Sequence, residues 1–88
     1  GNVIYLVQTD GTEASALAPD VSGDQVHPDW SPGGDRIAFV VDGDLWTADA
    51  SGEVVDRLLD CPDGCDYPAW SPDGTKLAFS AYEPGPNV

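Results

Sequence analysis

Short apolar runs alternate with clusters of Gly, Pro, Asp and Ser along the whole chain. The longest runs are Val3-Ile-Tyr-Leu-Val7 and Ile37-Ala-Phe-Val-Val41. Each has the length of a strand and falls far short of the roughly 20 residues that span a bilayer. No segment sustains a helical period. Residues 54–59 have one turn's worth of helical spacing, but Ser51-Gly52 and Cys61-Pro62 bracket them too tightly for a helix. Runs that are apolar throughout suit strands buried on both faces. Strands are therefore predicted at 26–31, 36–41, 44–49 and 53–58. They are punctuated by the turn Ser31-Pro-Gly-Gly34, the hairpin Asp42-Gly43 and the turn Ser51-Gly52. In the first turn Pro presets φ and Gly supplies a positive φ.

The pattern repeats. Residues 27–39 and 67–79 are identical at seven of 13 positions, including Pro28/Pro68, Trp30/Trp70, Ser31/Ser71, Gly34/Gly74 and Phe39/Phe79, at an offset of 40. A second stretch repeats at an offset of 41: Ile4-Tyr5 matches Leu45-Trp46, Gly11 matches Gly52, and Leu17 matches Leu58. A period near 40 built of strands points to a propeller blade or a similar repeat. Residues 66–82 then hold the first two strands of a following unit. Residues 2–9 and 13–17 hold the last two of a preceding one. The expected organisation is half a unit at 1–18, a complete unit at 26–59 and half a unit at 66–82. Asn87-Val88 repeats Asn2-Val3, as if the register were cut in mid-blade.

The string Pro-x-Trp-Ser-Pro-(Gly/Asp)-Gly-x-(Arg/Lys)-(Ile/Leu)-Ala-Phe, at 28–39 and 68–79, resembles the repeat of TolB-type β-propellers. It is similar to WD-repeat blades, without their Trp-Asp ending. The resemblance implies an all-β fold of four-stranded antiparallel blades, usually six to a ring. Two blades' worth per chain then implies completion of the ring by oligomerisation, three chains giving six blades. It also implies a mostly non-catalytic role, as a scaffold or protein-interaction module. The alternatives are a fragment of a larger propeller beside an enzyme such as a serine peptidase, and a ligand- or cation-binding propeller.

Composition narrows the partners. Acidic residues number 16 against 3 basic ones, for a net charge of -13. Nucleic-acid phosphates and anionic lipid heads would be repelled, so neither is an expected partner. Of the acids 13 are Asp, a turn former, and only 3 are Glu. Solvated turns therefore account for most of the charge. The chain has no Met and no visible signal peptide, which suggests trimming or excision from something longer.

Few residues offer chemistry. No G-x-S-x-G, H-E-x-x-H, G-x-G-x-x-G or P-loop string is present. Neither Asp42-Gly43-Asp44 nor the stretch 60–66 has EF-hand spacing. No enzyme activity, cofactor or dedicated metal site is expected. Cys61 and Cys65 flank Pro-Asp-Gly, a turn that suits a disulfide. Free thiols and zinc are the rivals, and zinc is short of ligands with His27 the only His. A disulfide would imply a secreted or periplasmic protein. Trp30, Trp70, Phe39 and Phe79 are expected in blade-to-blade packing, with a sugar-stacking platform the alternative for the two Trp. Tyr5 and Trp46 are likewise read as core. His27 and Asp29 are expected to line a central channel.

Overall fold

Both copies of the Ser-Pro-x-Gly motif close the same turn. Ser31 N–H donates to the Arg36 carbonyl (2.8 Å) and Gly34 N–H to the Ser31 carbonyl (2.9 Å). The Ser31 hydroxyl accepts the Arg36 N–H at 3.0 Å. Ser71, Gly74 and Lys76 repeat the three bonds at 2.8, 2.9 and 3.0 Å. Gly34 and Gly74 sit at φ +75°, where a Cβ is disfavoured. Each motif thus launches an antiparallel strand pair in a fixed register.

The computed structural model describes residues 1–82. Its strands are β1 (Tyr5–Leu6), β2 (Ser15–Ala16), β3 (Gln25–Trp30), β4 (Arg36–Val41), β5 (Asp44–Asp49), β6 (Val55–Leu59), β7 (Cys65–Trp70) and β8 (Leu77–Ala81). They form three antiparallel sheets: β1-β2, β3-β4-β5-β6 and β7-β8. The chain is all-β, and no helix occurs among the described residues.

The three sheets share one register. In β3-β4 Asp29 lies opposite Ala38 and Trp30 opposite Ile37, after a bulge between Val26 and Asp29. In β7-β8 Ala69 lies opposite Ala78 and Trp70 opposite Leu77, after a bulge between Asp66 and Ala69. Likewise Trp46↔Arg57 and Thr47↔Asp56 of β5-β6 reappear as Tyr5↔Ala16 and Leu6↔Ser15 of β1-β2. The first and last sheets are therefore opposite halves of the blade that the middle sheet shows complete.

The middle sheet lies between the two halves. Ile37, Phe39, Val41 and Ala48 pack with Ile4, Leu17 and Ala18 on the β1-β2 side. On its other face β3, β4 and β5 contact β7. Every residue of β4 after Arg36 is buried, as its unbroken apolar run requires.

The main departures are in strand length. The strands predicted at 2–9 and 13–17 shrink to two residues each, because β1 has no neighbour on its second edge among the described residues. The fourth strand of the middle sheet starts at Val55 rather than 53. There Asp49 accepts the N–H groups of Glu53 (2.9 Å) and Val54 (3.2 Å) and holds the turn longer. Asn87-Val88 lies outside the described residues.

Candidate functional site

Two constellations join the middle sheet to β7-β8. The first is a seam at Trp70. Its backbone N–H donates to Asp29 Oδ2 (3.1 Å) and its indole Nε1–H to the Asp29 carbonyl (3.2 Å). The Arg36 guanidinium lies 5.6 Å from the ring centroid and donates to Thr47 Oγ1 at 2.8 Å. A cation over an indole is an attractive arrangement. Trp70 thus joins β7 to the middle sheet through Asp29 and Arg36.

Trp30, the same position one repeat earlier, is 52% exposed. The neighbouring β1-β2 sheet has two strands and neither carries a counterpart of Arg36. Tyr5 is 64% exposed for a related reason, its sheet having one free edge. Trp46, by contrast, is partly buried against the core and lies 6.4 Å from Phe39. Phe39 is fully buried and Phe79 half-buried.

The second constellation bridges the inner strands β3 and β7. His27 Nδ1 pairs with Asp66 Oδ1, and its ring stacks on Tyr67 with centroids 4.6 Å apart. His27 and Tyr67 are equivalent, each precedes a Pro, and both have positive φ (56° and 55°). A left-handed residue in both bulges is a feature of the repeat, and it is costly for non-Gly side chains. Beside the pair opens a cleft of about 540 Å³ lined by Gly43, Gly64, Asp66, Tyr67, Ser80 and Tyr82. Asp29 does not join His27 there. Its carboxylate turns to the Trp70 N–H, which would otherwise lack a partner at the seam.

An imidazole beside a carboxylate has the parts of a general base, and Ser80 lines the cleft beside it. The Ser31 hydroxyl is held by Asp35 at 2.9 Å, that of Ser71 by Asp73 at 2.7 Å, and both cysteines are oxidised. Among the described residues no three His, Cys, Asp or Glu side chains converge as a metal site. Asp42 and Asp44 instead serve turns, accepting the N–H groups of Asp24 (2.8 Å) and Cys61 (2.9 Å).

Cys61 and Cys65 form a disulfide with Cα atoms 5.7 Å apart. One repeat earlier the same positions are Val21 and Gln25. There the buried Gln25 amide donates to the carbonyls of Val21 (3.0 Å) and Ala18 (2.9 Å). Its Oε1 accepts the Ile4 N–H at 3.2 Å. The equivalent loop of each repeat is thus tied, covalently at 61–65 and by an amide at 21–25. Sequence reasoning missed Gln25; its offset of 40 from Cys65 was the available signal.

No family model matches the chain. No solved structure matches it either. Among curated proteins it is 39% identical to a probable dipeptidyl peptidase 4 of Aspergillus fumigatus, over 85% of this chain and 12% of that protein. It is 44% identical to the Tol-Pal system protein TolB of Albidiferax ferrireducens, over 54% of this chain and 12% of that protein. The TolB of Polaromonas naphthalenivorans is 40% identical over the same shares. The chain spans about an eighth of the length of these relatives, 12% in each case. With three sheets in one register, these similarities mark a propeller-type repeat.

Proposed function

We propose that the chain is a non-catalytic β-propeller segment, acting as a scaffold or protein-interaction module, and that three copies close into a six-bladed ring. One observation carries this reading. The β7-β8 sheet copies the first half of the complete blade, and β1-β2 copies the second half. One copy's last sheet and another's first therefore add up to a blade. Ring closure at roughly 4–8 blades removes exposed sheet edges, and three chains give six. The non-catalytic reading is supported by the sequence carrying no G-x-S-x-G or H-E-x-x-H string. The disulfide fits a secreted or periplasmic setting.

Light scattering at micromolar concentration and physiological salt tests the ring. A three-chain mass is expected, with partial dissociation at low salt because the net charge of -13 per chain opposes association. A single-chain mass would overturn the ring, and a two-chain mass would replace it with four blades. A second reading, a piece of a propeller that accompanies a peptidase, draws on the similarity to dipeptidyl peptidase 4. A G-x-S-x-G string encoded in frame beside this segment would favour it.

A further inference from the structure

The loop between β6 and β7 docks as the loop before β3 does. Cys65 N–H donates to the Gly43 carbonyl at 2.7 Å, and Gln25 N–H to the Asn2 carbonyl at 2.9 Å. The ties that close the two loops differ in chemistry. At 21–25 the Gln25 side chain makes three hydrogen bonds to backbone groups, and a reductant breaks none of them. At 61–65 the tie is the Cys61–Cys65 bond. Once it is broken, the loop keeps hydrogen bonds such as Cys61 N–H to Asp44 Oδ1 and Gly64 N–H to the Cys61 carbonyl, both 2.9 Å. Both cysteines are buried, but Pro62 and Asp63 between them are exposed, so the loop lies at the surface.

The reducible tie adjoins the bridge between the inner strands. Asp66 follows Cys65 directly. Its Oδ1 pairs with His27 Nδ1 and accepts the Tyr67 N–H at 2.9 Å. In the other repeat Val26 stands at the position of Asp66 and offers no such pair. The bridge therefore goes with the disulfide, and the inert amide with its absence. Hairpin, loop and bridge all fall between residues 25 and 67, away from both ends of the chain.

We infer that Cys61–Cys65 is a redox switch for the contact between β3 and β7. Oxidised, it fixes Cys65 and so holds Asp66 against His27. A dithiol reductant supplies two electrons and two protons. The S–S bond breaks, both sulfurs become thiols, and the reductant closes to its own disulfide. The freed loop then carries Asp66 away from His27. This goes beyond the scaffold reading, because it puts one contact between sheets under chemical control, whatever the number of chains in a ring.

Amide hydrogen exchange on the native chain, oxidised and then reduced with a dithiol, tests the switch. Exchange at Cys65 and Tyr67 should speed up about tenfold or more beyond any change at Gln25, whose tie holds no sulfur. Equal acceleration at all three amides would make the disulfide a general brace and overturn the switch. Acceleration at Cys65 with Tyr67 unchanged would overturn the coupling to the bridge, and no acceleration at either would overturn both. The double variant Cys61→Val, Cys65→Gln gives the loop the residues of Val21 and Gln25. Its exchange should be the same with and without the dithiol, and a dithiol response that persists there would also overturn the switch.

Discussion

The strand pairs β3-β4 and β7-β8 share one turn, one bulge and one register, yet their side chains meet different surroundings. Phe39 is fully buried and Phe79 half-buried. Trp70 is pinned by Asp29 and Arg36, whereas Trp30 faces outward. The compared Phe and Trp are the same residue types, so their own identity cannot be the cause. What differs is the number of neighbouring strands. In a repeat protein, local sequence sets the shape of a unit and adjacent units set its burial.

The largest test of that contrast is truncation of the two Phe. Phe39→Ala should cost about 3–5 kcal/mol, the usual range for a buried aromatic. Phe79→Ala should cost about 1 kcal/mol, as for an average substitution. Urea midpoints of the two variants in dilute solution measure the difference. Equal midpoints would mean that Phe79 is already covered, and a Phe79→Ala cost that grows with protein concentration would identify another copy as the cover.

The two loop ties sharpen the comparison at a smaller scale. Reducing Cys61–Cys65, a short loop, should cost about 2 kcal/mol in the chain-entropy picture. Gln25→Ala removes an amide that makes three bonds to backbone groups, and should cost about 1–3 kcal/mol through the partners left unpaired. Thermal melts with and without reductant, on the native chain and on Gln25→Ala, place the two effects side by side. Additive effects are expected, since the ties hold different loops. A null result for Gln25→Ala would show that water replaces the amide.

Much of this was readable from the chain. Residues 27–39 and 67–79 gave the repeat, and Ser-Pro-x-Gly gave its turn. The spacing of Cys61 and Cys65 suits the disulfide and by itself leaves free thiols and zinc open. Strand positions from 26 to 58 held to within about two residues. What the chain does not reveal concerns neighbours. Trp30 and Tyr5 read as core because a large aromatic recurs one repeat on, at Trp70 and Trp46, and a one-repeat pattern does not record which strands stand beside a given copy. The turn of Asp29 toward Trp70 was hidden for a similar reason: Ala69 occupies its position in the other repeat, so the bond is not periodic. Gln25 was missed because an amide and a disulfide look unrelated until aligned. The positive φ at His27 and Tyr67 had no signal, since residues before Pro ordinarily favour extended backbone.

The smallest effect expected concerns acid. Three exposed carboxylates are held below the usual range: Asp10 chiefly by the Thr12 hydroxyl, Asp49 by the Val54 N–H, and Asp73 by the Ser71 hydroxyl. A lowered folded-state pKa favours the native turn at any pH above the unfolded value, about 3.9 for Asp. That contribution fades as pH falls through the lowered value. Acid also neutralises the excess of 13 negative charges, which relieves repulsion and acts in the opposite sense. Comparing the native chain with Asp73→Asn largely separates the two, because the wider charge relief is nearly common to both. Asp73 sits in the Ser-Pro turn of the less covered strand pair, so its bonds carry more of that turn. The native chain should have the higher Tm at pH 6, and the gap should narrow as pH falls below about 4 and through the lowered folded-state value. Parallel Tm curves would mean that the Ser71 and Thr75 contacts do not distinguish the folded from the unfolded chain.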